Sequence, residues 1–254
     1  MNTLPSIGAE LARCRKLGAL SEIELVDISS LAAAEEIQAE ALESFDGKLR
    51  GYALNGADMR TRRAIGCDAP VFCPIGGDEI RSSEERYRLP YGVLGAGAGF
   101  AFTFGREYPS RSDEMSPTLA GSIVTCQPVI QLVGRRLHGS IPLDQRTAMA
   151  DFGLNVATFV GPAIGDWRSL DLAAVEIEAS INGARLMTGR GGELMGHPFN
   201  AVQWLCDELA ARGRQIEAGE MVAVGSCFGL LQVTPGQTLV VDFDHRAQVS
   251  AQFE

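Results

Sequence analysis

The run Gly95-Ala-Gly-Ala-Gly-Phe-Ala-Phe-Thr-Phe104 constrains the fold of this chain more than any other segment. Its glycines invite a phosphate-cradling loop. Such a loop needs a strand before it, a helix after it and an acidic residue about 20 positions on within a βαβ unit. Here residues 100–104 continue as strand, so the glycines mark places where side chains are missing or where a ligand approaches the backbone. Further strand patterns cover residues 48–55, 92–104, 124–133, 156–160, 172–181, 221–224 and 238–243, the first ending in a turn at Asn55-Gly56. Helical spacing is confined to fewer places. Ile7, Leu11 and Leu17 share one helix, and Ser30 caps a second over 31–45, with Glu35, Ile37, Gln38 and Leu42 on an amphipathic surface. Residues 58–65 make one or two turns, and 144–152 and 198–212 are helices, the last opened by Pro198 and stopped by Gly213. Strands outnumber helices without regular βα alternation, which predicts an α+β fold with a curled mixed sheet and flanking helices.

A chain of 254 residues with 46% hydrophobic content has enough material for one large core. One domain over 1–254 is expected, with an N-terminal helical segment, 1–47, packed on it. Apolar runs are interrupted by Gly, Gln or charge well before the roughly 18 to 20 residues of a bilayer span, and residues 1–16 lack the design of a signal peptide. A cytoplasmic location is therefore expected. The net charge of −10 disfavours nucleic acid and an anionic membrane surface as partners. Cys14, Cys67, Cys73, Cys126, Cys206 and Cys227 have no metal-ligand or disulfide spacing and read as buried thiols.

The C-terminal third carries a more specific signal. Asn182-Gly183, Thr188-Gly-Arg-Gly-Gly-Glu-Leu-Met-Gly-His-Pro-Phe-Asn-Ala-Val-Gln-Trp-Leu205, Leu209-Ala-Ala-Arg-Gly213, Ala218-Gly-Glu220 and the closing Val249-Ser-Ala-Gln-Phe253 resemble the matching segments of 2-hydroxypenta-2,4-dienoate hydratases and 4-oxalocrotonate decarboxylases. Upstream, Gly51-Tyr52, Gly66-Cys-Asp-Ala-Pro70, Ala101-Phe102, Arg136 and Ala150-Asp151 fall in the same order, so the resemblance spans nearly the whole chain. It implies the mixed β-roll shared with fumarylacetoacetate hydrolases, a small-molecule substrate, homo-oligomerisation, and a Mg²⁺ or Mn²⁺ ion that chelates a 2-oxo acid. An active relative is a further possible partner, in a hetero-oligomer.

Aligned with that family, this chain lacks the polar positions of the site. Two metal-binding Glu, one residue apart, fall on Gly97 and Gly99, and the third falls on Gln131. The catalytic Lys falls on Ala53, and an acidic residue after the Pro of the next loop falls on Val71. One neutral amide does not replace three anionic oxygens for a hard cation, so no metal and no other cofactor is expected. The remaining polar candidates are Asn55, Gln131, Arg135, Arg136 and Ser226 for binding an oxygenated ligand and Asp58 and Asp151 for moving a proton, although Asp58 is also placed to cap the helix that follows it. Glu176-Ile-Glu178 alternates with apolar residues and reads as a solvated strand face, His197 as a helix cap, and Cys227 as packing; His138 and His245 have no assigned role.

These features predict a metal-independent member of the hydratase/decarboxylase fold, acting on an oxo or enol substrate by lyase, hydratase, isomerase or cyclisation-type chemistry. The alternative is a non-catalytic binding or scaffold subunit paired with an active relative, and behind that a conventional hydratase with metal ligands drawn from elsewhere. Loss of the large polar side chains is expected to enlarge the cavity.

Overall fold

The computed structural model describes residues 6–43, 48–109 and 117–254. Two helices come first, α1 (Ile7–Leu17) and α2 (Leu31–Glu43). Ser6 accepts a hydrogen bond from the Ala9 amide at the start of α1, and Gly18 closes the helix in the left-handed conformation (φ 63°). Ser30 Oγ accepts from the Ala33 amide as α2 begins. The expected continuation of α2 to residue 45 lies outside the described residues. Buried Gln38 ties α2 down, its amide donating to the Phe72 and Met149 carbonyls at 3.2 and 2.7 Å.

The strands are β1 (Leu49–Asn55), β2 (Val71–Gly76), β3 (Ile80–Ser82), β4 (Arg86–Tyr87), β5 (Val93–Phe104), β6 (Val124–Gly134), β7 (Asn155–Val160), β8 (Glu176–Ile181), β9 (Ala184–Arg190), β10 (Met221–Gly225), β11 (Thr238–Phe243) and β12 (Ala247–Phe253). Shorter helices α3 (Met59–Ala64), α4 (Pro117–Ser122) and α5 (Gln145–Ala150) and the longer α6 (Pro198–Ala211) lie between them. A seven-stranded mixed sheet runs β2-β1-β10-β5-β6-β7-β3, and a five-stranded sheet runs β4-β12-β11-β8-β9. The expected α+β architecture with a curled mixed sheet and flanking helices is what forms.

The long strand β5 explains the layering. Phe100, Phe102 and Phe104 point to one face and join the main core with residues of the five-stranded sheet such as Ile177, Val241 and Phe243. Ala101 points to the other face, where it packs with Ala53, Cys73, Val129 and Ala223 beneath Leu11 of α1 and Phe152. The candidate site lies on that second face.

Several elements depart from the sequence expectation, among them the short β3 and β4 and the C-terminal β12, which were not expected as strands. The strand expected over 172–181 begins only at Glu176, because Asp171 folds residues 171–174 into a turn, accepting from the Ala173 amide through Oδ1 and from the Ala174 amide through its carbonyl. Strand β2 escaped notice because Pro74 interrupts it, and Pro is tolerated there since β2 is a sheet edge. Strand β9 is also an edge, largely exposed, and so lacks apolar alternation. The short α4 follows residues outside the described range and had no periodic signal.

Candidate functional site

Antiparallel register brings together the positions on which the resemblance led us to expect metal ligands. Gly97 of β5 pairs with Gln131 of β6, which pairs with Thr158 of β7, and Gly99 pairs with Val129 and with Gly225 of β10. Directly opposed residues share a face, so Gly97, Gly99, Gln131 and Thr158 converge, with Ala53 and Cys73 on the same face further along the sheet. Asn55 of β1 pairs with Val71 at its border. The sequence-predicted positions on this sheet are therefore brought to one place.

The expected enlargement of the cavity is not found. A side chain grown from Gly97 would meet Ser226 Cβ at 2.6 Å and Oγ at 2.8 Å, and one grown from Gly99 would run into the Val224 carbonyl. A side chain at Gly225 would collide with Gln131 Oε1. Close packing admits few voids; the backbone of β10 and Ser226 occupy the room that larger side chains at these positions would need. Asn55, Asp58, Gln131, Thr158 and Ser226 are each 2% exposed or less, so the cluster is sealed from solvent.

Most of its polar atoms are already used. Asp58 caps α3, its Oδ1 accepting from the Thr61 amide at 2.9 Å and its Oδ2 from the Ser226 amide at 3.2 Å. Ser226 Oγ accepts from the Ala98 and Phe228 amides at 3.2 and 3.3 Å. Asn55 donates to the Gly153 carbonyl at 2.9 Å. Gln131 is the exception: its amide nitrogen and oxygen are both buried without a hydrogen-bond partner among the described residues.

Arg135, Arg136 and Asp151 serve a different purpose from the ligand contacts expected of them. The Arg135 guanidinium donates to the carbonyls of Leu137, His138 and Ile141 at 2.9, 2.5 and 2.6 Å, clamping the loop after β6. Asp151 is fully buried; Oδ1 pairs with Arg136 Nη1 at 3.1 Å, while Oδ2 accepts from the Arg136 and Leu137 amides at 2.5 and 3.0 Å. Arg136 also donates to the Asn155 carbonyl.

This ion pair adjoins a second one that sequence reasoning missed. Arg15 of α1 pairs with Glu79, whose carboxylate also accepts from the Gly76 amide and from Asn155 Nδ2 at 2.9 and 3.0 Å. Arg15 and Arg136 both lie over the Phe152 ring, 4.5 and 5.0 Å from its centroid. Burial, with Arg136 nearby, pulls the Arg15 guanidinium down to about 9. The signal was there for Arg15: it stands four residues after Leu11, on the buried stripe of its helix, where a cation requires a partner. Glu79, in a Gly-rich turn, gave none.

The bland readings of other residues hold. Glu176 and Glu178 pair with Arg190 and Arg185 on the outer face of β8, and His197 Nδ1 accepts from the Phe199 amide at the start of α6. All six cysteines are buried, and burial pushes the Cys227 thiol far above its usual range.

A divalent cation fits this site poorly. Gly97, Gly99 and Gln131 supply two hydrogens and one neutral amide, and among the described residues no group of three or more His, Cys, Asp or Glu is disposed to hold a metal.

No family model matches the chain. It is 22% identical over 232 residues to a 2-keto-4-pentenoate hydratase of Paraburkholderia xenovorans, covering 90% of this chain and 85% of the relative. It is 26% identical over 126 residues to a 4-oxalocrotonate decarboxylase of Pseudomonas putida, covering 50% of this chain and 47% of that one. Among solved structures, 4-oxalocrotonate decarboxylase from Pseudomonas putida G7 complexed with magnesium and adipate superimposes with a TM-score of 0.81 at 18% identity, covering 100% of both chains. Among the described residues, no helix is long and apolar enough to cross a membrane.

Proposed function

We propose that this chain, a homologue of 2-keto-4-pentenoate hydratases and 4-oxalocrotonate decarboxylases, has left their metal-assisted chemistry and works on an oxygenated small organic acid without a resident cation. Relatives of this kind are enzymes of the hydratase and decarboxylase type. The solved decarboxylase is complexed with magnesium or calcium; the positions at which the resemblance leads us to expect metal ligands are Gly97, Gly99 and Gln131 in this chain.

The observation that carries the reading is the unpartnered Gln131 amide at the centre of a sealed polar cluster. A buried amide left without hydrogen bonds costs about 1–3 kcal/mol, and an oxo or enol group entering between β5, β6 and β7 would satisfy it. Gln131 Nε2 would donate to the ligand oxygen, the role that a cation has elsewhere in oxyanion stabilisation. Entry requires a local opening of the structure, because Gln131 and its polar neighbours are closed off from solvent in this conformation.

A second reading, a non-catalytic subunit of a mixed assembly, is favoured by the saturation of both candidate proton carriers, Asp58 by two amides and Asp151 by Arg136 and two amides. Metal analysis of the purified protein, with turnover of 2-keto-4-pentenoate measured with and without Mg²⁺ and chelator, separates the cases. Chelator-insensitive turnover lost in Gln131→Leu supports the proposal. Magnesium-dependent turnover overturns it, and absence of turnover with stable association to an active relative supports the second reading.

A further inference from the structure

We infer that the cleft between the end of α1 and the segment 86–91 is a binding site for an organic anion that carries an apolar body, distinct from the sealed cluster around Gln131. The cleft encloses about 1210 Å³, more than enough for a small metabolite. The Tyr91 amide donates to the Gly18 carbonyl at 3.0 Å and joins the two walls, while the Leu89 amide donates to the Glu254 carbonyl at 3.0 Å and holds the segment 86–91 beside the end of β12. The site is therefore assembled from residues some 70 positions apart and is already shaped before any ligand arrives.

Charge selects the class of ligand. Eight Arg or Lys line the cleft against four Asp or Glu, in a chain whose net charge is −10. Several of these cations are accounted for. Arg15 pairs with Glu79, Arg81 with Glu85 and Arg86 with Glu254, while Arg13 and Arg136 pair with Glu10 and Asp151 outside the lining. Lys16 and Arg88 have no carboxylate partner among the described residues, and Arg135 is held by carbonyls alone; the one lining acid outside these pairs is Asp78. A local cationic excess on an acidic protein concentrates anions at that place.

The rim selects the rest of the molecule. Leu17 is 64% exposed and Tyr91 is 76% exposed, two of the few large apolar side chains that the described surface leaves open, and both line this cleft. Leu17 and Tyr91 lie on the two walls that the Gly18 contact joins, so an apolar body would rest between them while its acid group meets Lys16 and Arg88. Neither feature serves the polar cluster around Gln131, whose residues are buried and do not line this cleft.

The test is calorimetric titration of the full chain with octanoate, acetate and inorganic phosphate at constant ionic strength. Octanoate is expected to bind at least about tenfold more tightly than acetate or phosphate. The double variant Lys16→Glu/Arg88→Glu is expected to weaken octanoate about tenfold or more, Tyr91→Ser to bring it to the level of acetate, and Gln131→Leu to leave it unchanged. Melting temperature and sedimentation of each variant show that it is folded and in the same assembly state. No binding of octanoate, binding untouched by the charge reversals, phosphate binding as well as octanoate, or a change of assembly state in place of a change of affinity would each overturn the inference.

Discussion

Two polar neighbourhoods sit close together on one face of the seven-stranded sheet, and they treat charge in opposite ways. Around Gly97, Gly99 and Gln131 the side chains are absent or neutral, and the backbone of β10 with Ser226 stands against the two glycines. Around Phe152, two guanidiniums and two carboxylates remain, buried and paired as Arg15–Glu79 and Arg136–Asp151. Buried charge in this interior is confined to places where it is partnered: Arg15–Glu79 and Arg136–Asp151 hold loops and the N-terminal helix to the sheet, and around Gln131 the one charged side chain, Asp58, caps α3.

The largest expected effect tests the paired side of this comparison. Asp151→Ala leaves Arg136 buried beside Arg15 without its carboxylate, and the loss of stability in urea denaturation should be about 3–5 kcal/mol. A loss below 1 kcal/mol would mean that the pair is a bystander. On the emptied side, Gly99→Ala should cost about 1–3 kcal/mol by the same measurement, because its new methyl meets the Val224 carbonyl. If Gly97→Glu and Gly99→Glu together bind Mg²⁺ in a metal titration with no loss of melting temperature, the closure described here is wrong.

An effect of similar size and opposite sign separates ligand binding from structure. Gln131→Leu removes a buried amide that makes no internal hydrogen bond, so stability should rise by about 1–3 kcal/mol while any turnover or ligand-induced rise in melting temperature is lost. The smallest concerns α1. Hydrogen bonding from Arg13 holds the Glu10 carboxyl at about 2, below its ordinary 4.5. A depressed carboxylate contributes stability above pH 4.5 that is lost as the pH falls toward 2. Arg13 is half exposed, which limits the contribution to about 1 kcal/mol. Glu10→Gln should flatten that part of the acid melting curve, and an unchanged slope would show that the pair does not anchor α1.

The helices were legible because their signals are local: Ser6 and Gly18 around α1, Ser30 before α2, Asp58 before α3, and His197-Pro198 at α6 are read from neighbours in the chain. Strands β2 and β9 were not: Pro74 interrupts the fully buried edge strand β2, and the exposed edge strand β9 lacks apolar alternation. Within the site, the loss of carboxylates could be read by resemblance alone. Arg135, Arg136 and Asp151 could not be told from ligand contacts, because their partners are carbonyls and amides that no sequence pattern marks.

The order of residues thus settled the main helices and most of the long strands, that strands dominate, and that positions 97, 99 and 131 carry no charge, since periodicity, caps and side-chain chemistry are properties of short stretches. Only the tertiary structure decided that Ser226 and Val224 stand against the two glycines, that Arg15 meets Glu79 over Phe152, and that Lys16 faces the same cleft as Arg88. Packing and charge pairing depend on distance in space, and residues far apart along the chain acquire that distance only when the sheet curls and α1 settles upon it.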